Sequence, residues 1–387
     1  MLVSVGANGA GAGADSADGA PDAASTSVPM TVEAGLFDQS QPMTLGLTMH
    51  ESVQTFSVFE PGEDDNRFNN HPQLMPFKGH LYATWQGTPR NEDSDDSFAL
   101  VSRSADGEHW SSPSVIAGPI PGEHYHASGG LWSDGQTLVN YVIKLGKGHK
   151  PGTLKSTWVR TTTDGENWSP LTELIPDATL SENPRQLLDG RLIVTAHGPT
   201  QAIPMNISRI FYTDQVDGLG GWQESYLPHI PSKNRGRGLE PSWYRRPDGS
   251  LVMVFRDMDR TFKLLASESQ DRGATWSLPV PVDMPDSCSM QCGGNLPDGT
   301  AFLVNNPVAE GRRIPLTVTL SDDGRHFDRT FLLRGEPQPR RFEGDYKDAG
   351  YSYPGAVVWG EHLYVTYATN KEDIQVTRIP LRVMSER

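Results

Sequence analysis

The sequence predicts an all-β fold, a six-bladed β-propeller with four antiparallel strands in each blade. Three observations lead to it: a polar loop motif that recurs along the chain, a second series of turns with a similar period, and a short apolar segment after each of those turns. Repeats of about 40 to 50 residues with four strands each are typical of propellers, whose blades bury their faces on one another. The 387 residues are enough for six such units.

The recurrent loop has the form S-x-D-x-G-x-x-W. It is complete in SESQDRGATW (267–276), shortened in SADGEHW (104–110), TTDGENW (162–168) and SDDGRHF (321–327), and degenerate in TDQVDGLGGW (213–222). Its Ser and Asp side chains can bond nearby backbone N–H groups, and its Gly permits a positive φ. We therefore expect each loop to join the two outer strands of a blade, and we assign no catalytic role to its Asp.

The second series consists of tight turns that precede the apolar segments. The turns are Lys78-Gly79, Asp134-Gly135, Asp189-Gly190, Asp248-Gly249, Asp298-Gly299 and Trp359-Gly360. The segments after them are HLYATW, QTLVNYV, RLIVTA, SLVMVF, TAFLVN and EHLYVTY. Such β-branched and aromatic runs favour strands, so six turns predict six blades.

The ends of the chain predict how the ring closes. The sixth unit stops one strand short after DIQVTRIPL (373–381), while VQTFSVFE (53–60) precedes the first unit without a blade of its own. An N-terminal strand that completes the last blade would hide two sheet edges. The expected organisation is a disordered, Ala- and Gly-rich tail over residues 1–42 and one propeller over residues 43–387.

Composition restricts the possible partners. A formal charge of −15 and a pI near 5.1 argue against nucleic acid and anionic membranes. No apolar run reaches the roughly 18 residues that a membrane span needs. Two cysteines, Cys288 and Cys292, are too few for a structural metal site and too far apart on a straight strand for a disulfide. We expect a small molecule or a glycan as partner, with no cofactor and no metal; the oligomeric state stays open.

The N-terminus offers little evidence about the compartment. It has neither a basic segment nor a continuous apolar one, so no signal peptide is predicted. A cytoplasmic protein and a secreted protein with a mis-chosen start codon are both compatible with it.

The loop motif and its distribution over residues 60–381 resemble the Asp-boxes of the sialidase (neuraminidase) superfamily. GLEPSWYRRPDGSLVMVFRD (238–257) is similar to the sialidase pattern in which a Glu supports the nucleophile and an Arg binds a substrate carboxylate. That resemblance implies these roles for Glu240 and Arg256. The alternative for Glu240 is a closed ion pair with Arg256 or Arg237.

Two further stretches resemble the same superfamily. NNPVAEGRRIPLTVTLSDDG (305–324) implies a second carboxylate-binding arginine at Arg313, with Arg312 as its neighbour. GYSYPGAVV (350–358) resembles the region of the tyrosine nucleophile, which makes Tyr351 the first candidate and Tyr353 the second.

A fourth stretch is the polar loop RNEDSDD (90–96), which stands where sialidases carry their aspartic general acid. Asp93 has the matching offset, while Glu92, Asp95 and Asp96 are the alternatives in the same loop.

One motif departs from the pattern. Sialidases open their first blade with F/Y-R-I-P, and this chain has NNHP (69–72) in that place. Aligning the prolines puts Asn70 where the arginine belongs and His71 beside it, so we expect these two side chains to contact substrate together with two arginines.

The resemblance implies an exo-acting, retaining glycoside hydrolase that removes a terminal acidic sugar, sialic acid or a related one. The carboxylate on the anomeric carbon of a sialoside repels a carboxylate nucleophile, so a neutral Tyr activated by a Glu suits the attack. Three alternatives stay open. Histidines near the ends of inner strands (His71, His124, His126 and His197) could serve a uronate-directed lyase. The same propeller could carry a glycosidase for another, non-sialic sugar, or it could bind glycans without catalysis.

Overall fold

In a computed structural model, the structure describes residues 28–92, 94–146, 155–200, 203, 206–230 and 237–386. It contains one short helix, and no helix in these ranges has the length and apolar character needed to cross a membrane. Nearly all regular structure is β-strand, as the sequence predicts.

The strands form six blades of four antiparallel strands, with two strands ahead of the first blade. The leading strands are β1 (Thr31–Val32) and β2 (Gln54–Phe59). Blade I holds β3 (Phe68–Phe77), β4 (His80–Thr88), β5 (Phe98–Ser104) and β6 (Ser114–Ala117). Blade II holds β7 (His124–Ser133), β8 (Leu138–Gly146), β9 (Lys155–Thr162) and β10 (Thr172–Pro176). Blade III holds β11 (Thr179–Leu180), β12 (Arg185–Gln186), β13 (Leu192–Gly198), β14 (Ile207–Thr213) and β15 (Gln223–Glu224), with β11 and β12 sharing the first position.

The second half of the chain repeats the arrangement. Blade IV holds β16 (Gly238–Arg245), β17 (Leu251–Asp257), β18 (Lys263–Ser269) and β19 (Val280–Pro285). Blade V holds β20 (Cys292–Asn295), β21 (Ala301–Asn305), β22 (Leu316–Ser321) and, after the short β23 (His326–Phe327), β24 (Arg329–Arg334). Blade VI holds β25 (Tyr351–Trp359), β26 (His362–Thr369) and β27 (Asp373–Pro380), and helix α1 (Leu381–Ser385) follows.

The ring closes as the chain ends predict. Strand β2 pairs antiparallel with β27 and becomes the outermost strand of blade VI. The first strand of each blade lies innermost, where β25, β3 and β7 contact one another in sequence around the axis. The inner strands therefore surround a common axial space.

Apolar side chains fill the interfaces between neighbouring blades. Six of the clusters of buried apolar residues each join one pair of adjacent blades, including the pair formed by blades VI and I. On β26, Val365 and Tyr367 pack toward blade V, and the alternate residues Tyr364 and Ala368 pack toward blade I. Alternation along a strand thus lets each blade contribute to two interfaces.

The recurrent loops have the structural role expected of them. In the loop that joins β18 to β19, Ser269 donates to the Asp271 carboxylate, which also accepts from the Thr275 backbone N–H at 2.9 Å. Asp106, Asp164 and Asp323 make the same kind of contacts in three other blades. Hydrogen bonds to the charged form hold the pKa of Asp106 and Asp164 well below the usual range.

The expected extent of the tail needs correction. Met30 is buried against blades IV and V, and β1 pairs in parallel with β23. The Pro29 carbonyl also accepts a hydrogen bond from the buried guanidinium of Arg246. Residues 28–42 are therefore packed on the propeller, and the remainder of the predicted tail, residues 1–27, lies outside the described residues.

We predict that Gly165→Ala destabilises the protein more than Gly135→Ala. Both glycines lie in turns of blade II with positive φ, 79° and 87°, so an alanine strains both. An added Cβ would overlap the buried Tyr82 hydroxyl at Gly165, whereas it meets nothing within 4 Å at Gly135. The steric clash should cost about 1–3 kcal/mol beyond the shared strain. Urea unfolding of both variants measures the difference, and equal losses would contradict the packing described for this loop.

Candidate functional site

Three inner strands are interrupted in the same way, and each interruption presents a polar side chain. The pairing of β3 with β4 shifts register between Asn70 and Gln73, and β16 and β25 show equivalent shifts. The residue at each shift precedes a proline and has a positive φ: 57° at His71, 49° at Glu240 and 55° at Tyr353. Proline has no N–H to give to the ladder, so the strand bulges there.

The three side chains lie close together next to the central axis of the propeller. The rings of His71 and Tyr353 meet edge to face with centroids 5.5 Å apart. The Glu240 carboxylate acts electrostatically on both, which opposes the burial that lowers the pKa of His71 and adds to the burial that raises the pKa of Tyr353. Tyr353 is therefore a neutral phenol at neutral pH. We call the space around these residues the axial recess.

Arg256 lies beside Glu240 in the recess. Its Nη2 is 3.1 Å from Glu240 Oε1, and the two side chains are 12% and 14% exposed. Among the described residues, Glu240 Oε2 and Arg256 Nε have no hydrogen-bond partner. The ion pair of the alternative interpretation is thus present, and each partner also keeps one buried polar atom whose hydrogen-bonding capacity is unused.

Arg313 forms the next part of the wall. Its guanidinium donates to Ser352 Oγ at 2.9 Å, lies 3.1 Å from Asp348 Oδ2 and covers the Tyr353 ring at 5.4 Å from the centroid. Its neighbour Arg312 pairs instead with Glu310, outside this group of contacts.

Lys371 and Glu92 complete the charged wall. Lys371 Nζ is 2.9 Å from Glu92 Oε2, and Asn70 Nδ2 donates to Glu92 Oε1 at 3.0 Å. The Tyr353 ring lies 5.7 Å from the ammonium group. The recess therefore holds three cations, Arg256, Arg313 and Lys371, and each of them is within 3.1 Å of a carboxylate oxygen.

Residues 79–365 match the BNR repeat-like domain family. The chain belongs to that BNR repeat-like family. No curated protein matches the sequence.

Solved structures show that this BNR repeat-like chain has a sialidase-like fold. A sialidase is 20% identical with a TM-score of 0.57; the match covers 91% of this chain and 35% of that one, so the chain spans about a third of the sialidase's length. The intramolecular trans-sialidase of Ruminococcus gnavus is 14% identical with a TM-score of 0.64, covering 86% of this chain and 98% of the other. The Trypanosoma rangeli sialidase is 13% identical with a TM-score of 0.62, covering 88% and 60%.

The structure corrects the expected position of Tyr351 in this BNR repeat-like propeller. Tyr351 is fully buried between blades V and VI, stacked edge-on against Tyr367, and its hydroxyl donates to the Glu336 carbonyl at 2.5 Å. Arg334 covers its ring at 4.6 Å from the centroid. The prediction that Tyr351 lies in the site is wrong, because the bulge after Ser352 turns Tyr353 into the recess instead.

The structure brings several of the other predicted residues close together. Glu240, Arg256, Arg313, His71 and Tyr353 come together, and Asn70 joins them through Glu92. Asp93 lies outside the described residues. The sequence reasoning missed Lys371 and Asp348, which sit in turns without a motif; the residue-proline pairs at 71, 240 and 353 were a visible signal that could have favoured Tyr353 over Tyr351.

The histidines divide between two places. His71 Nε2 donates to the Ser181 carbonyl at 2.7 Å, and His197 lies 3.2 Å from Ser181 Oγ. His124 and His126 instead pair with each other on blade II, with centroids 5.1 Å apart. Burial lowers the pKa of His126 to about 4, and the neighbouring His124 adds to the effect.

The cysteines lie apart from one another as free thiols. The Cys288 thiol donates to the Asp257 carbonyl at 3.0 Å, and burial raises its pKa. Burial raises the pKa of Cys292 to about 12, so it is a neutral, packed side chain.

We predict that His126 makes the protein less stable in acid. Because its pKa is lowered from 6.5 to about 4 in the folded state, the unfolded chain binds the proton first, and stability present above pH 6.5 is lost as the pH falls toward 4. In His126→Asn, which can still donate to the Gly118 carbonyl, the loss of unfolding free energy between pH 7 and 4.5 should shrink by about 1–2 kcal/mol.

Urea unfolding at both pH values tests this, with exposed His109 as the control. Its contact with Asp106 raises its pKa, so His109→Asn should steepen the loss in acid. Parallel pH profiles for wild type and His126→Asn would contradict the assignment.

Proposed function

We propose that this protein is an exo-acting, retaining glycoside hydrolase that removes a terminal acidic sugar, sialic acid or a related one, from a glycan. The observation that carries the proposal is the meeting of the Tyr353 phenol, the Glu240 carboxylate and the guanidinium groups of Arg256 and Arg313 in one axial recess. The Trypanosoma rangeli sialidase, which shares the fold, has been solved in complex with sialic acid.

Tyr353 is the nucleophile in this proposal, and Glu240 is its base. The neutral phenol escapes the repulsion that a carboxylate nucleophile would meet from the substrate's own carboxylate. As Tyr353 Oη attacks the anomeric carbon, its proton passes to Glu240 and the bond to the leaving oxygen breaks. Water then displaces Tyr353 from the same carbon, and two inversions give net retention. A ligand carboxylate bound to Arg256 would weaken the pairing of Arg256 with Glu240 and so increase the basicity of Glu240.

The general acid in this proposal is Asp93, which protonates the leaving oxygen. Its described neighbour Glu92 is a poor candidate, because Lys371 and Asn70 both stabilise its ionised form. Glu92 is better suited to hold Lys371 and Asn70 in position.

The acidic group of the substrate would bind to Arg256 and Arg313. Both guanidinium groups are largely buried, and their planar donors match a carboxylate. Asn70 and His71 are engaged with Glu92 and the Ser181 carbonyl, so they would contact the sugar at the edge of the recess and contribute no permanent charge.

We predict that Tyr353→Phe lowers kcat for release of an aryl sialoside by at least about 10³-fold, because no other nucleophile faces Glu240 in the proposed mechanism. Tyr351→Phe is the matched control. It removes the hydroxyl that donates to Glu336 and should lower the thermal midpoint while leaving kcat within about threefold of wild type. Normal turnover by Tyr353→Phe, with circular dichroism confirming the fold, would remove Tyr353 from the mechanism.

A second candidate is a uronate-directed lyase, favoured by one observation. His71, whose pKa burial lowers, is a neutral imidazole that lies against Tyr353, whose ring Arg313 covers. Arginine can neutralise a uronate carboxylate while His or Tyr removes the C5 proton.

The two chemistries give different products, which can be measured on acidic polysaccharides and aryl glycosides. We predict release of free sugar without new absorbance. An unsaturated product that absorbs in the near ultraviolet, lost in His71→Gln, would establish the lyase instead. Retention on a glycan column without any turnover would indicate a binding propeller.

A further inference from the structure

The Asp348 carboxylate occupies a position between two cations of the recess. Its Oδ2 is 3.1 Å from Arg313 Nη2 and 3.6 Å from Lys371 Nζ, and its side chain is 51% exposed. The cations themselves are nearly enclosed, with side chains 11% and 3% exposed. The half-exposed Asp348 carboxylate thus lies between solvent and the buried cations of Arg313 and Lys371.

Lys371 has a backbone conformation that a structural lysine would not need. It follows Asn370 in the tight turn between β26 and β27, and both residues have a φ of 55°. A hairpin turn with positive φ at both central residues favours glycine at the second one. A buried lysine there is strained, and Lys371 shares its positive φ with three other residues of the recess, His71, Glu240 and Tyr353.

The ammonium group of Lys371 has three hydrogens, and its contacts differ in quality. Glu92 Oε2 at 2.9 Å and the Tyr346 carbonyl at 2.8 Å are within hydrogen-bond range. Asp348 at 3.6 Å is beyond it. Among the described contacts, the one with Asp348 is therefore the weakest, and an oxygen atom of a ligand could replace it at a shorter distance.

The main chain next to Asp348 is anchored, so only its side chain is free to turn. Lys347 is fully buried, 3.1 Å from the Glu372 carboxylate, and donates to the Arg67 carbonyl at 2.7 Å. Asp348 itself faces solvent on one side. Rotation of this short side chain would expose Arg313 and Lys371 without moving the loop.

We propose that Asp348 is a displaceable internal ligand: its carboxylate occupies, in the free protein, the place between Arg313 and Lys371 that the acidic group of the substrate takes. The inference rests on the proposed function, in which Arg256 and Arg313 bind the sugar carboxylate: one carboxylate oxygen would meet Arg256, and the other would take the place of Asp348 between Arg313 and Lys371. Exchange of one carboxylate for another keeps the charge of the recess unchanged, and a neutral sugar gains nothing from it. Asp348 therefore competes with acidic ligands for these two cations, and a neutral sugar does not displace it.

The test is a gain of binding in Asp348→Asn, which cannot be mistaken for misfolding. Isothermal titration with N-acetylneuraminic acid and with D-glucuronic acid should give dissociation constants about two- to fivefold lower than for wild type, as expected for the loss of an exposed competing ion pair. Asp345→Asn, in an exposed position of the same loop, is the control for net charge and should bind like wild type. The methyl esters of both sugars should show no gain.

Three outcomes would overturn the proposal. They are equal affinities of wild type and Asp348→Asn, an equal gain for the esters, or no binding of either acid by Asp348→Asn. In the Asp348→Asn background, Lys371→Arg should keep the gain in affinity for acids, and Lys371→Gln should remove it. A gain in affinity that survives Lys371→Gln would show that Lys371 takes no part in binding the carboxylate.

The same variants separate this inference from the proposed function. Tyr353→Phe should abolish turnover, but adding Asp348→Asn to it should still raise the affinity for acids. The phenolic hydroxyl of Tyr353 takes no part in the proposed binding of the carboxylate by Arg313 and Lys371. If Tyr353→Phe remains active while Asp348→Asn binds acids more tightly, the catalytic proposal fails and the internal ligand stands. If Tyr353→Phe is inactive while Asp348→Asn binds acids no more tightly than wild type, the internal-ligand proposal fails and the hydrolase proposal stands.

Discussion

The recess depends on three inner strands whose backbone hydrogen bonding to the next strand is interrupted. At His71, Glu240 and Tyr353 a left-handed residue followed by proline breaks the regular alternation of the strand. Each such residue costs of order 1–3 kcal/mol, and the cost is tolerable only where the surrounding structure enforces the conformation. The apolar interfaces between the blades provide that enforcement, since they fix every inner strand from both sides. Rigid packing around the ring is thus what makes a strained centre possible.

Electrostatics in the recess follow a second constraint. Cations in an enclosed position need anions nearby, because burial without a partner is expensive. Glu240, Asp348 and Glu92 satisfy Arg256, Arg313 and Lys371 in turn. Each of these three cations therefore has a carboxylate partner before any ligand arrives. Discrimination among ligands then depends on which of these pairs opens most easily, and the exposure of Asp348 marks its pair with Arg313 and Lys371 as the one that does.

Much of the fold was predictable from sequence, because each blade repeats the same turn and loop motifs. The turn series, the Asp-bearing loops and the unpaired segment 53–60 together predict six blades and their closure, and the structure confirms both. The packed segment 28–42 was missed, since its contacts with Arg246 and β23 involve a few isolated residues that directly follow an Ala- and Gly-rich segment. Local composition cannot reveal a strand that forms only against a distant partner.

Candidate site residues were predictable where a recognisable motif surrounds them and uncertain where two similar residues flank a bulge. Arg256 and Arg313 were found because motifs surround them, but Tyr351 and Tyr353 differ by a bulge that inverts which residue faces the axis. Lys371 and Asp348 had no signal at all, as a single charge in a turn resembles any solvated one. Their importance comes from distances between blade VI, the loop before it and blade I, which only the folded ring defines.

The closing strand has a consequence for biosynthesis. Strand β2 is made among the first residues of the described chain, and its partner β27 is made near the end. The nascent protein must therefore carry an unsatisfied edge segment through the synthesis of all six blades, and the ring can shut only after β27 leaves the ribosome. Chaperones or slow translation would matter most in that interval, when an exposed strand of a nearly finished propeller can pair with a neighbouring polypeptide.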